Sequence, residues 1–173
     1  MSLLWNNNFG HSTVGFKIFP VYQSPSALEL IIADTKIKKI ILTRQNCLRM
    51  YVSFLIAAKS QDWRNSGDRR ALESKKVSVD ISSFNDFVAK NDQIITTVRK
   101  QLQSSHQSVL ELTYENLVMG LENRRLLDYF ALPAFEMQSS IEQQNPYPLA
   151  DLVINYEELC YGLSNTKFEA DLD

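Results

Sequence analysis

This chain of 173 residues is poor in the residues that mark several specialised classes of protein. It contains two cysteines and two histidines, which are too few and too far apart for a disulfide framework or a zinc cluster, so no metal is expected. Cys47 and Cys160 fall in apolar surroundings that favour buried structural thiols. For Cys47, a helix start and Arg49 nearby also fit a reactive cysteine.

Long apolar runs are lacking as well. No stretch approaches the roughly 18–20 apolar residues that a membrane-spanning helix needs. The first residues do not follow the charged-then-apolar order of a secretion signal, so the expected location is the cytoplasm. The length predicts one domain over residues 1–173 that is large enough to bury a sizeable core.

The charge is nearly balanced in total and uneven along the chain. The net charge is −2, yet residues 36–76 contain eleven Lys or Arg against three Asp or Glu, and residues 136–173 contain one against eight. A basic half of this kind attracts anions before contact. Nucleic acid is not expected, because exposed aromatics are not interleaved with the basic residues and the acidic third would repel a long polyanion. A small, multiply charged anion fits better.

Apolar periodicity predicts strands that alternate with helices. Strands are expected at Val14–Phe19, Lys38–Thr43 and Val109–Thr113, and the unbroken apolar run in the second predicts burial on both faces. Helices are expected at Pro25–Thr35 behind an N-cap at Ser24, at Asn46–Ala58, from Asp80 to about Leu102, at Leu121–Phe130, and from Pro148 to Leu163. A mobile surface loop is expected around residues 60–79. The alternation predicts an α/β fold with a mainly parallel sheet. Its three predicted strands are fewer than the roughly five or six strands of an average sheet.

The most informative segment is the one in which a predicted strand leads directly into a predicted helix, over Lys38–Ser53. Such a junction leaves the first N–H groups of the helix unpaired and aimed at one point, which suits a phosphate or sulfate group. Arg44 lies in the link, and Asn46, Arg49 and Ser53 share one stripe of the helix. A solvated polar stripe on a half-buried helix explains the same residues equally well.

Four segments of this chain occur in an order that is known from one enzyme family. They are IILTRQNCLRMYVS at Ile40–Ser53, preceded by Val14–Phe19. They are followed by Leu112–Leu117 with Leu126–Pro133, and by Asn155–Leu159 with Leu163, Thr166 and Phe168 behind it. Together they resemble the sulfotransferases that use 3′-phosphoadenosine 5′-phosphosulfate, and the nearest resemblance is to the bacterial group related to nodulation and lipopolysaccharide sulfotransferases. In that family the segment that corresponds to Ile40–Ser53 is the second nucleotide-binding element.

The resemblance implies the ligands of the nucleotide. By position, Arg44 and Ser53 become the residues that hold its 3′-phosphate. In many members the arginine directly precedes the asparagine, whereas Gln45 stands in that place here, so Arg44 lies one residue early. Tyr114 and Glu115 match the tyrosine-glutamate turn of the family and are interpreted as structural rather than catalytic.

One element of the family is missing from the sequence. Members begin with a strand and a phosphate-cradling loop rich in small residues, and only eight residues precede the nearest candidate loop, at residues 9–13. The expected fold is therefore a three-layer, parallel-sheet sulfotransferase fold of the phosphate-loop NTPase type, incomplete at its N-terminus. No catalytic residue is assigned, His11 included. A sheet that lacks a central strand exposes backbone and apolar surface, so self-association is also expected.

The resemblance implies transfer of a sulfuryl group from 3′-phosphoadenosine 5′-phosphosulfate to a hydroxyl or amine, on a carbohydrate or a lipid-linked acceptor. The partners are then a small anionic nucleotide and that acceptor. The alternative is a non-catalytic nucleotide-binding or scaffold domain derived from the same fold. A nucleotide kinase of related architecture is disfavoured by the missing glycine-rich loop.

Overall fold

The computed structural model describes residues 14–19, 24–61, 75–137 and 145–172. Its chain divides into two compact units, Met1–Ile37 and Lys38–Asp173. In the first unit, helix α1 spans Pro25–Ala33. Its N-cap is Ser24, as predicted, because the Ser24 hydroxyl accepts a hydrogen bond from the backbone N–H of Ala27.

The strand predicted at Val14–Phe19 is not formed, since no regular element is assigned to these residues. The residue types there favour a strand, but a strand is defined by its pairing, and residue preference alone does not supply a neighbouring strand. Of the predicted mobile loop around residues 60–79, residues 62–74 lie outside the described residues. Ser60 ends a helix, and Val77 forms an isolated parallel bridge with Val153.

The second unit is a mixed α/β structure. Its elements are β1 (Lys39–Thr43), α2 (Cys47–Ser60), α3 (Ile81–Ser104), β2 (Val109–Thr113), α4 (Tyr114–Val118), α5 (Asn123–Phe130), α6 (Leu149–Leu152), α7 (Tyr156–Leu163) and a 3-10 turn (Glu169–Asp171). The N-cap predicted for α3 is confirmed, because a carboxylate oxygen of Asp80 accepts a hydrogen bond of 2.7 Å from the N–H of Ser83.

Strands β1 and β2 pair in parallel, in a register that runs from Lys39 opposite Val109 to Thr43 opposite Thr113. In the described part of the chain this sheet has two strands. The expected burial of β1 on both faces is wrong. Ile41 is buried, whereas Ile40 and Leu42 are 38% and 42% exposed. A strand is buried on both faces only where helices cover both sides of its sheet. The apolar composition of the strand does not ensure that such helices are present.

The helix predicted from Pro148 to Leu163 is broken in two. Val153, between α6 and α7, is extended, and backbone hydrogen bonds join Val77 N–H to Leu152 O and Ile154 N–H to Val77 O. The side-chain amide of Asn155 completes the pairing, because it accepts from Val79 N–H and donates to Val79 O, each at 2.9 Å. A segment far away in the sequence thus competes successfully with continuation of the helix.

The core of the second unit lies among α2, α3, α6, α7 and the bridge at Val77. Its buried residues are Leu48, Tyr51, Val52, Ile56, Val77, Val79, Phe84, Val88, Leu149, Leu152, Val153, Leu159, Leu163 and Phe168. Phe168 packs edge-on against Phe84 with ring centroids 4.8 Å apart, which anchors the 3-10 turn near the start of α2. Among the described helices, none has both the length and the apolar content required to cross a membrane.

Candidate functional site: the junction between β1 and α2

The junction consists of Arg44, Gln45 and Asn46, which link the end of β1 to the start of α2. Asn46 is the N-cap of α2, and its side-chain oxygen accepts a hydrogen bond of 2.7 Å from the N–H of Arg49. This cap satisfies one of the N–H groups that the helix cannot pair internally. The link therefore has the strand-to-helix geometry that the sequence predicts.

Carboxylates of the protein itself accept hydrogen bonds from the backbone N–H groups of residues 45–48. Glu115 accepts hydrogen bonds from the N–H groups of Gln45, at 3.0 Å, and Asn46, at 3.3 Å. Asp171 accepts from Cys47 and Leu48 through a single oxygen, at 2.8 and 3.1 Å. The expectation that these N–H groups stand unpaired is therefore wrong. The positive end of the helix does bind anions, and the anions are side chains from elsewhere in the chain.

Arg44 lies between the two strand ends and is largely buried, with its side chain 19% exposed. Its Nε is 3.8 Å from Oε1 of Glu115, an ion-pair distance too long for a hydrogen bond, and its guanidinium carbon is 4.7 Å from the centroid of the Tyr114 ring. The buried Nε has no hydrogen-bond partner among the described residues. Burial lowers the pKa of the guanidinium, against the opposing influence of Tyr114 and Glu115.

Ser53, the second predicted ligand, lies farther along α2. It is half-buried and follows Asn46 by seven residues, which places it about 10 Å along the helix axis at 1.5 Å per residue. On the same stripe, the guanidinium of Arg49 donates to the backbone oxygen of Tyr147 at 3.2 Å. The structure thus brings Arg44 together with Tyr114 and Glu115, while Ser53 stands about two turns away from the cap.

Cys47, the first residue of α2, is not placed to act as an activated thiol. Burial raises the pKa of the Cys47 thiol, and the negative charge of Asp171 raises it further. The helix end that would otherwise stabilise a thiolate already donates its N–H groups to the Asp171 carboxylate. These contacts favour the interpretation of Cys47 as a structural thiol. His11 lies outside the described residues.

Asp171, which accepts from two N–H groups of α2, is not identified by the sequence pattern. The first turn of α2, residues 47–50, has no acidic residue, whereas residues 136–173 contain eight. This contrast in charge indicates that an acidic residue from the end of the chain could lie at the start of α2, but it does not identify which of the eight. The interpretation of Tyr114 and Glu115 as a structural turn did not include the role of Glu115 as an acceptor from Gln45 and Asn46.

Compared with protein-family models, curated proteins and solved structures, the chain has no match. The functional interpretation therefore depends on the four sequence segments and on the contacts of the junction.

Proposed function

We propose that this chain is a sulfotransferase-type domain that recognises the 3′-phosphate of 3′-phosphoadenosine 5′-phosphosulfate through Arg44 and Ser53. The observation that supports the proposal most directly is the buried Nε of Arg44, which has no hydrogen-bond acceptor among the described residues. A buried donor without an acceptor costs about 1–3 kcal/mol, and a phosphate bound to the exposed part of the same guanidinium would offset that cost. Arginine is suited to this role because its planar guanidinium matches the geometry of phosphate oxygens.

The contacts of the junction restrict how the phosphate is held. Since Glu115 and Asp171 accept from the N–H groups of residues 45–48, the helix end is not open to a further anion. Side chains must therefore provide the binding, with Arg44 as the cation and the Ser53 hydroxyl as a donor. The two carboxylates also lower the local positive potential, which favours a ligand that meets the guanidinium directly over one that is attracted from a distance.

The fold that belongs to this proposal is the three-layer, parallel-sheet fold of the sulfotransferases. The parallel pair β1–β2, with helices after both strands, supports this part of the proposal. The nucleotide supplies the sulfuryl group, and the acceptor is a hydroxyl or amine on a carbohydrate or lipid-linked molecule. Displacement at sulfur depends on alignment and on neutralising the charge that develops on the 5′-phosphate. Arg44, on the 3′-phosphate, contributes to alignment, and no residue is assigned to the 5′-phosphate or as the base.

Calorimetric titration tests the proposal with adenosine 3′,5′-bisphosphate and, as the matched ligand, adenosine 5′-monophosphate. We expect the wild type to prefer the bisphosphate, and Arg44→Ala and Ser53→Ala to lose that preference by about tenfold, the equivalent of about 1.4 kcal/mol. Arg124→Ala is the control, because it removes an exposed arginine that pairs with Asp128 on α5. Equal affinity of the wild type for both nucleotides would overturn the proposal.

A non-catalytic binding or scaffold domain is the second candidate. It is favoured by the way in which carboxylates of the protein already neutralise the start of α2. Transfer of labelled sulfate from 3′-phosphoadenosine 5′-phosphosulfate to a mixture of glycans separates the two candidates. Transfer that depends on Arg44 supports the enzyme, whereas nucleotide binding without any transfer supports the scaffold.

A further inference from the structure

The contacts of Arg44 come from the first two residues of the neighbouring helix. Tyr114 and Glu115 begin α4 directly after β2, just as Arg44 follows β1. The parallel register sets Thr43 opposite Thr113, so the residues that follow the two strands emerge side by side. The neighbours of Arg44 are therefore fixed by the pairing of the sheet, across a sequence separation of about 70 residues.

Tyr114 defines one side of the guanidinium. Its ring centroid is 4.7 Å from the guanidinium carbon, within the range at which a cation is attracted by an aromatic face. The ring offers the guanidinium a face and no hydrogen-bond acceptor, so it orients the group without consuming a donor. This is consistent with the absence of a partner for Nε among the described residues.

Glu115 acts on the backbone that follows Arg44. Its two oxygens accept from consecutive N–H groups, those of Gln45 and Asn46, which fixes the link immediately after the arginine. The distance from Oε1 to Nε is 3.8 Å, so the carboxylate does not take the Nε–H as a hydrogen bond. Glu115 thus holds the loop without taking a hydrogen bond from Nε.

We propose that Tyr114 and Glu115 are positioning residues for phosphate recognition, a role that depends on the proposed function of Arg44. Tyr114 sets the plane of the guanidinium, and Glu115 fixes the backbone from which the guanidinium extends toward a phosphate oxygen. The pair forms no bond with the nucleotide itself. It makes the site selective for the 3′-phosphate, because this arrangement exists before the ligand arrives and need not be formed on binding.

Substitutions at both positions test the proposal, with the ratio of affinities for adenosine 3′,5′-bisphosphate and adenosine 5′-monophosphate as the measurement. We expect Tyr114→Leu to reduce this ratio by about threefold to tenfold, as the loss of a partly desolvated cation–π contact implies. Tyr114→Phe keeps the ring and should keep the ratio. A purely structural defect would weaken both nucleotides equally and leave the ratio unchanged, so the ratio reports on the residues proposed to bind the 3′-phosphate, Arg44 and Ser53.

For Glu115→Gln, two explanations predict opposite changes in the affinity for the bisphosphate. If the carboxylate acted only through its charge, removing that charge would strengthen phosphate binding, since like charges repel. Because Glu115 fixes the loop through two accepted hydrogen bonds, and an amide has one acceptor oxygen, we expect weaker binding of the bisphosphate instead. Stronger binding would overturn the role of Glu115.

The double substitution Arg44→Ala with Tyr114→Leu completes the experiment. Positioning requires that Tyr114→Leu has no further effect once Arg44 is absent, which is the non-additivity expected of residues that act through one group. A wild type that binds both nucleotides equally would overturn the proposed function together with this role. A wild type that prefers the bisphosphate, with the preference intact in Tyr114→Leu, would overturn the positioning role alone.

Discussion

The two strand-to-helix junctions in the described part of the chain begin alike and end differently. β1 and β2 both finish on a threonine, and the two threonines, Thr43 and Thr113, are paired in the sheet. After β1 the chain inserts three residues before α2 starts behind Asn46. After β2 it inserts none, and Thr113 is itself the N-cap of the five-residue α4. One junction is therefore a loop that faces its neighbour, and the other is a tight turn.

The difference lies in where the neutralising charge comes from. The first turn of α2 has no acidic residue, and its N–H groups donate to Asp171 of the 3-10 turn. The N–H groups of Gln45 and Asn46, just before α2, donate to Glu115 of α4. The first turn of α4 contains Glu115, which turns toward the other junction and accepts from its backbone. A helix start that is suited to an anion thus predicts that an anion is bound, and does not predict whether it is a ligand or part of the chain.

Removing Asp171 should have the largest effect on this comparison. We expect Asp171→Ala to lower the free energy of unfolding by about 2 kcal/mol, because two N–H groups lose a charged acceptor and must turn to water. The Asp171 backbone oxygen, which accepts from the Asn46 side chain at 3.0 Å, remains available in the variant. Urea unfolding followed by circular dichroism measures the difference.

Asp86→Ala is the matched control for that substitution. Asp86 is an exposed carboxylate on α3, and removing it should change the free energy of unfolding by roughly 0.5 kcal/mol or less. If Asp171→Ala proved no more destabilising than Asp86→Ala, the capping of α2 by the 3-10 turn would not contribute to the free energy of unfolding. The two junctions would then differ in geometry alone.

The two N-caps should differ in a smaller but measurable way. Asn46→Ala removes an acceptor 2.7 Å from the Arg49 N–H at the start of a 14-residue helix, and we expect a loss of about 1 kcal/mol. Thr113→Ala removes a longer contact, 3.4 Å from the N–H of Asn116, at the start of five residues, so the expected loss is about 0.5 kcal/mol. Equal losses in the same urea assay would contradict this order.

Local features of the fold were predictable from the sequence. The bounds of β1 and β2, and the caps at Ser24 and Asp80, depend on a few consecutive residues and were expected within about one residue. The position of Arg44 at a strand-to-helix junction was expected for the same reason. Propensity, capping and apolar spacing act within a single turn or strand, so a sequence displays them directly.

Features that depend on distant residues were not predictable in this way. The break at Val153 requires pairing with Val77, and the occupation of the start of α2 requires Asp171, more than 120 residues away. Exposure of Ile40 and Leu42 depends on which helices cover the sheet. In each case the local sequence permits several outcomes, and tertiary contacts select one of them.

The thiol of Cys47 provides the most delicate test of the comparison, because it reports the charge balance at the start of α2. Burial and then Asp171 raise its pKa, so its thiolate forms at higher pH than that of an unfolded cysteine peptide. We expect the pH of half-maximal alkylation, measured by mass spectrometry, to lie above the peptide value and to move back toward it in Asp171→Asn. Since the midpoint does not depend on steric access, a midpoint below that of the peptide would mean that the dipole of α2 remains unneutralised and open to an external anion.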